Sequence, residues 1–184
     1  MNDRQKAILL KVARESVAAA VSGRKAPETA TDDAELNSPC GCFVTLKNAG
    51  QLRGCIGRFV ADEPLIQTVA EMAVAAAVKD ARFFDNPVTE EEIPQLDIEI
   101  SVLSPLKKTD DPLSLRLGVD GIYIRKGFAS GCFLPQVAAE TGWSREEFLS
   151  YCCSSKAGLD PTAWKDADTE VYLFTAEIIE EKKN

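Results

Sequence analysis

The chain has 184 residues, of which 45% are hydrophobic and 27% are charged, a composition typical of a globular protein with a sizeable core. Its 29 acidic and 21 basic residues give a net charge of −8, which argues against non-specific binding to nucleic acids or membranes. No segment has the roughly 18 unbroken apolar residues of a membrane-spanning helix, so we expect a cytoplasmic protein.

The chain contains no histidine, which excludes a Ser-His-Asp triad, a Cys-His dyad and a zinc site of the HExxH type. None of its cysteines forms a Cys-x-x-Cys pair, and their spacing is irregular for a disulfide framework. We therefore predict free thiols, with neither a bound metal nor a cofactor. The cysteines are Cys40, Cys42, Cys55, Cys132, Cys152 and Cys153.

The first half of the chain alternates between helical and strand patterns. Apolar residues in the first 21 positions recur at the spacing of an amphipathic helix, and residues 24–39 are rich in turn-forming types and predict an irregular connection. Residues 42–47 and 52–57 flank a turn-rich loop, which predicts a β-hairpin. Pro64 follows two acidic residues and is expected to begin a buried, alanine-rich helix that runs to about Lys79.

The second half is dominated by strand patterns. Residues 96–103 alternate between apolar and polar side chains, residues 121–134 predict a second hairpin around two glycines, and residues 170–179 predict a last strand. Pro135 is expected to begin a short helix, and Ser144 with Glu147 matches a capping box for a helix ending near Gly158. The prediction is an α+β fold with a largely antiparallel sheet flanked by helices.

The sequence LRGCIG at residues 52–57 is the principal candidate site. In an extended strand Arg53 and Cys55 share one face, roughly 7 Å apart and within the Debye length of about 8 Å, so the guanidinium favours a reactive thiolate. Gly54 and Gly57 indicate a bulge, a bend or a close approach of another group, and together with Ile56 they are candidates for ligand binding. Two interpretations stay open, an anion-binding or catalytic thiol and a packing device against the alanine-rich helix.

Four further residues are weighed as ligand-binding candidates. Asp80 and Arg82 form either a charged pair at the same site or a surface salt bridge at the end of the helix. Glu99, on the polar strand face with Asp97, is either a general base in a protein without histidine or a solvated side chain. Gln136 is either a ligand donor or an ordinary polar residue in the first turn of a helix.

The chain resembles the AMME chromosomal-region family, whose prokaryotic members are called AmmeMemoRadiSam system protein A. The resemblance rests on LRGCIG and on blocks in family order over about residues 40–180, including CFVTLK, LDIEISVLSP, DGIYIRKG and CFLPQVAAETGWS. It implies one α+β domain over residues 1–184, with two unequal lobes and the hexapeptide, including Gly54, Ile56 and Gly57, near a cleft. Many relatives have histidine where this chain has Asp120; if that histidine is the family's proton-transfer group, this chain cannot use the position in the same way.

The family name implies partners, a Memo-like protein similar to non-haem iron dioxygenases and a radical SAM enzyme, but it assigns no reaction to this component. We therefore carry two hypotheses. In the first, the chain is a pathway component with a site at Cys55 and Arg53 that either binds a small anionic molecule or acts on it by thiol-dependent catalysis. In the second, it is a non-catalytic adaptor whose cleft binds a partner protein or a nucleotide.

Overall fold

A computed structural model describes residues 1–181, which form two compact units of unequal size. The first unit contains Met1–Leu103 and the last strand from Glu177, and the second is the continuous segment Ser104–Ala176. Each unit has its own four-stranded sheet and its own hydrophobic core, which confirms the α+β class. The strands belong to two separate antiparallel sheets rather than to one.

In the first unit two helices cover one face of the sheet. The elements are α1 (Asp3–Val21), β1 (Cys42–Asn48), β2 (Gln51–Arg58), α2 (Leu65–Val78), β3 (Leu96–Leu103) and β8 (Ala176–Glu180), and the strand order is β2-β1-β3-β8. The alternation predicted for β3 is confirmed, because Ile98 and Ile100 are buried in a core shared with Leu9 and Val69. This arrangement leaves the polar residues of the strands on the opposite face of the sheet, here called the polar face.

The hairpin of β1 and β2 contains a bulge at Arg53. The register pairs Leu46 with Gly54 and Lys47 with Leu52, so Arg53 has no opposite residue. An inserted residue interrupts the regular alternation of a strand. Simple alternation therefore does not apply at Arg53, and its placement on one face with Cys55 stays a prediction; a bulge was among the features that Gly54 and Gly57 indicated.

The second unit places its helices against the other sheet. Its elements are β4 (Lys107–Thr109), β5 (Gly121–Lys126), β6 (Ala129–Phe133), α3 (Pro135–Thr141), α4 (Arg145–Tyr151) and β7 (Glu170–Phe174), with strand order β4-β7-β5-β6. The capping box of Ser144 and Glu147 is confirmed, and α4 continues as a π-helical turn that ends at Gly158 in the left-handed conformation. The core of this unit includes Ile122, Phe148 and Val171.

The predicted last strand is divided into two strands at Thr175. Strand β7 belongs to the sheet of the second unit and β8 to the sheet of the first, so one alternating sequence serves two sheets. Ser104 fixes this point, because its N–H donates to the Thr175 carbonyl over 2.8 Å and its Oγ accepts from the Thr175 N–H over 2.9 Å. Among residues 1–181, no helix is long and apolar enough to cross a membrane.

Candidate functional site: a thiol on the polar face

Three side chains from three neighbouring strands form a row on the polar face. Thr45 of β1 lies opposite Cys55 of β2 on one side and opposite Glu99 of β3 on the other. Residues directly opposite in an antiparallel pair point to the same face, about 4.5–5.5 Å apart at their Cβ atoms. The sheet thus brings together a thiol, a hydroxyl and a carboxylate that are far apart in the sequence.

The Cys55 sulfur is hydrogen-bonded within this row. The buried Thr45 hydroxyl donates to Cys55 Sγ over 3.1 Å, and Cys55 itself is half-buried. This hydrogen bond fixes the position of the sulfur beside Thr45. Sequence reasoning missed Thr45, and the available signal was the alternation in CFVTLK, which places Phe43, Thr45 and Lys47 on one face.

Asp80 and Arg82 hold the backbone of Cys55 between them. The Cys55 N–H donates to Asp80 Oδ2 over 2.9 Å, and Arg82 Nη2 donates to the Cys55 carbonyl over 3.2 Å. Arg82 also binds both carboxylate oxygens of the buried Asp80, over 2.9 and 2.6 Å. The two residues predicted as a charged pair therefore form a salt bridge, and that salt bridge contacts Cys55.

The electrostatics of the pair follow from these contacts. Hydrogen bonds from Arg82, then those from the Cys55 and Arg82 N–H groups, hold the pKa of Asp80 below its ordinary value despite burial. The pKa of Arg82 is raised, first by the hydrogen bond to Asp80 and, among smaller contributions, by the Cys55 charge. Arg82 is the guanidinium that contacts Cys55, and it does so through the Cys55 carbonyl.

Arg53 is bound elsewhere. Its Nε and Nη2 donate to the two oxygens of Glu92 over 2.7 and 2.9 Å, and Nη2 also donates to the Pro87 carbonyl over 2.9 Å. Glu92 further accepts from Asn48, and these contacts lower its pKa to about 2, the Arg53 hydrogen bonds contributing most. Arg53 thus anchors the 3-10 helix Glu90–Gln95 to the hairpin, and its role as a thiolate stabiliser stays a prediction.

The glycines of the hexapeptide are positions of close packing. A Cβ on Gly54 would lie 2.0 Å from the Ala76 carbonyl oxygen of α2, and one on Gly57 would lie 2.3 Å from the Phe43 ring. Ile56 packs against the core of the first unit. These observations agree with the packing interpretation of the motif, and the predicted ligand contacts of the three residues stay predictions.

The remaining candidates lie in different surroundings. Glu99 accepts from Lys47 over 3.1 Å, with only 15% of its side chain exposed. Gln136 lies in the first turn of α3 in the second unit, and its role as a ligand donor stays a prediction. Asp120 is buried and accepts three hydrogen bonds from Arg116, which lower the pKa of its carboxyl and fix the turn before β5.

The six cysteines are free, and four of them are less ready to ionise than an ordinary thiol. Burial raises the pKa of Cys42 to about 12 and raises the pKa values of Cys40, Cys152 and Cys153. Within residues 1–181, no group of three or more histidine, cysteine or acidic side chains could hold a metal ion. The site is therefore described by its thiol, hydroxyl, carboxylate and guanidinium groups.

Fold and site together define an α+β protein that carries a hydrogen-bonded thiol on the polar face of an antiparallel sheet. The chain belongs to the AMMECR1 family, whose profile it matches over residues 10–179. A protein from Methanothermobacter thermautotrophicus is 46% identical over 147 residues, which cover 77% of this chain and 75% of the relative. Protein TK0174 from Thermococcus kodakarensis is 42% identical over 185 residues, covering 95% and 89%.

A solved structure extends the similarity to the whole fold. The crystal structure of the uncharacterized protein PH0010 from Pyrococcus horikoshii matches with a TM-score of 0.90 and 40% identity over 99% of this chain and 94% of that chain. Since none of these relatives has a named activity, the similarity establishes family and fold. The chemistry has to be argued from the site.

Proposed function

We propose that the chain binds a small anionic molecule on the polar face of the first unit and reacts with it through the Cys55 thiolate. The observation that carries this proposal is the set of contacts on Cys55, a hydroxyl donor on its sulfur and a guanidinium on its carbonyl. Buried structural cysteines have no need of either. A thiolate at Cys55 could either catalyse a reaction or capture the ligand covalently. A member of the AmmeMemoRadiSam subfamily would use this thiolate within a pathway.

Arg82 is the group that selects an anion. Its Nε and Nη2 atoms are used by Asp80 and Cys55, whereas Nη1 has no hydrogen-bond partner in the part of the chain that the structure describes. The side chain is 55% exposed, so the free donors face solvent. A carboxylate or phosphate bound there would lie beside the sulfur, because the same guanidinium contacts the Cys55 backbone.

The simplest reaction at this site is addition to an aldehyde or ketone. The thiolate sulfur forms a bond to the carbonyl carbon, the π electrons move to the oxygen, and that oxygen takes up the proton released by the thiol, which gives a thiohemiacetal. The Thr45 hydroxyl contacts Cys55 Sγ and Glu99 lies opposite Thr45, so we assign these two groups to carry the proton between the two steps. Addition of this kind needs no oxidant, reductant or metal.

Two alkylating reagents of different charge test the proposal. We expect the ratio of the iodoacetate rate to the iodoacetamide rate to be higher at Cys55 than at Cys132 in the same protein. The rates at both cysteines are read by mass spectrometry. Arg82→Gln should reduce the iodoacetate rate at Cys55 about tenfold and the iodoacetamide rate much less, since a nearby guanidinium attracts the anionic reagent. Protection of Cys55 until unfolding, or a ratio unchanged by Arg82→Gln, would refute the thiol site.

A second function is favoured by the packing of Gly54 and Gly57. We infer as the alternative that the hexapeptide shapes the first unit as an adaptor for the Memo-like and radical SAM partners that the family resemblance implies. Co-purification of tagged partners of both kinds with this chain, unaffected by Cys55→Ser and by Arg82→Gln, would support it. Loss of binding in Cys55→Ser alone would instead connect the partners to the thiol.

A further inference from the structure

The second unit contains a cavity of about 410 Å³ that the Cys55 site does not involve. Lys107, Lys108, Arg116 and Asp120 supply its charges, Leu173 and Phe174 supply an apolar wall, and four serine and threonine residues complete the lining. A volume of this size lies within the range of small-molecule sites, about 300–1,000 Å³. We call it the Lys107 pocket.

The lining of the Lys107 pocket is positive although the chain carries −8 overall. Three cationic side chains face a single carboxylate, Asp120, and that carboxylate is already held by Arg116. Lys108 is paired with Glu170 over 3.0 Å. Local excess charge of this kind attracts anions only at short range, because the surrounding surface is acidic.

Two cationic groups in the pocket retain donors for a ligand. Within residues 1–181, Lys107 forms no ion pair or hydrogen bond through its ammonium group, and the side chain is exposed. Arg116 uses Nε and Nη2 on Asp120, whereas its Nη1 has no partner in the same range. An ammonium and a guanidinium edge are the donor types that bind phosphate oxygens.

The segment between β4 and β5, which presents Arg116, is ordered by its own hydrogen bonds. Thr109 Oγ1 and Ser114 Oγ donate to the Asp111 carbonyl over 3.0 and 2.6 Å, and the Arg116 N–H donates to Asp120 Oδ2 over 2.8 Å. Pre-organised donors lose little conformational entropy when a ligand binds. The pocket is thus built before any ligand arrives.

We propose that the Lys107 pocket binds a phosphate monoester. Its dianionic phosphate would match the excess of two positive charges in the lining, with oxygens on Lys107 Nζ and Arg116 Nη1, and its organic group would lie against Leu173. Inorganic phosphate would make the same contacts with Lys107 and Arg116, but it has no organic group to lie against Leu173. The proposal is independent of the reaction at Cys55, because the two sites use different residues in different units.

Titration of the full chain, followed by amide NMR shifts, tests the pocket with inorganic phosphate and with phenyl phosphate as probes. We expect both to shift the amides of Thr109, Ser114, Arg116 and Thr175, with phenyl phosphate binding more tightly. Lys107→Glu should weaken phenyl phosphate binding at least tenfold. Lys165→Glu makes the same charge change on an exposed residue of the same unit outside the pocket and should leave binding within twofold.

Each other outcome overturns part or all of the proposal. Shifts spread over all basic side chains, or equal weakening by the two glutamate variants, would show only non-specific attraction to positive charge. Equal affinity for both probes would identify a free phosphate site and refute the monoester. The spectrum of each variant also reports whether it is folded, so a loss of binding through unfolding is recognised directly. Arg116→Gln provides a second variant, and it should weaken binding comparably.

Discussion

At the scale of single residues, the folded geometry and not the distance along the chain determines which arginine contacts Cys55. Arg53 is two residues from Cys55, yet its Nε and Nη2 donate to Glu92 and Pro87. Arg82 is 27 residues away and contacts the Cys55 carbonyl. The bulge at Arg53 explains the difference, because it takes Arg53 out of the regular register of β2.

The Arg53–Glu92 pair makes the stability of the first unit depend on acid pH. The pKa of Glu92 is about 2, against an ordinary 4.5. The stabilising contribution of Glu92 is therefore complete above pH 4.5 and is lost as the pH falls from 4.5 towards 2. We expect Glu92→Gln to lower the free energy of unfolding at pH 7 by about 2 kcal/mol, and to flatten this acid-side loss. Denaturant unfolding at pH 7 and pH 3 measures both.

A neighbouring carboxylate provides the control for this prediction. Glu90→Gln makes the same charge change on an exposed residue of the same 3-10 helix, and no ion pair of Glu90 occurs within residues 1–181. Its effect on the free energy of unfolding should stay within about 0.5 kcal/mol. If both variants change stability equally at the two pH values, the Arg53–Glu92 pair does not stabilise the fold in the way its geometry indicates.

At the scale of elements, the contact between β2 and α2 depends on the absence of a side chain at Gly54. A methyl group there would lie 2.0 Å from the Ala76 carbonyl oxygen, so the strand and the helix would have to separate. We expect Gly54→Ala to lower the free energy of unfolding by about 3 kcal/mol through overpacking. It should also displace Cys55, whose N–H is held by Asp80, and so change its alkylation rate.

Gly50 offers a matched comparison in the same hairpin. It has φ +79° and open space around its Cα, so alanine there meets conformational strain and no steric clash. The cost should be about 1 kcal/mol, the usual penalty of a left-handed conformation. Thermal or denaturant unfolding of the two variants separates the effects, and equal costs would show that close packing at Gly54 contributes little.

Local patterns predicted the elements better than their pairing. The alternation of residues 96–103, the proline before α2 and the capping box at Ser144 are determined by neighbouring residues, and the structure has an element at each place. The division of residues 170–179 between two sheets could not be predicted in this way, since alternation is the same in either sheet. Thr45 was missed for a related reason, because its contact with Cys55 depends on the register of a hairpin.

At the scale of the whole molecule, the two proposed sites lie in two units with separate cores. The thiol, its hydroxyl donor and the Asp80–Arg82 pair all belong to the first unit, and the Lys107 pocket belongs to the second. The acidic net charge therefore describes neither site, since each presents guanidinium donors to solvent. Net charge excludes non-specific partners, whereas local geometry determines which small anions bind.

The second unit is expected to fold as an isolated fragment of residues 104–176. The segment is continuous, its ends meet through two hydrogen bonds between Ser104 and Thr175, and its core includes Phe148 and Trp164. A single core of this size supplies about 3–5 kcal/mol, so we expect cooperative urea unfolding with a free energy of about 3 kcal/mol and dispersed amide resonances that match those of the full chain. A fragment of residues 104–169 is the control, because it lacks β7, a central strand of the sheet order β4-β7-β5-β6. Cooperative folding of the control, or a collapsed and poorly dispersed longer fragment, would show that the core of the second unit is not sufficient by itself.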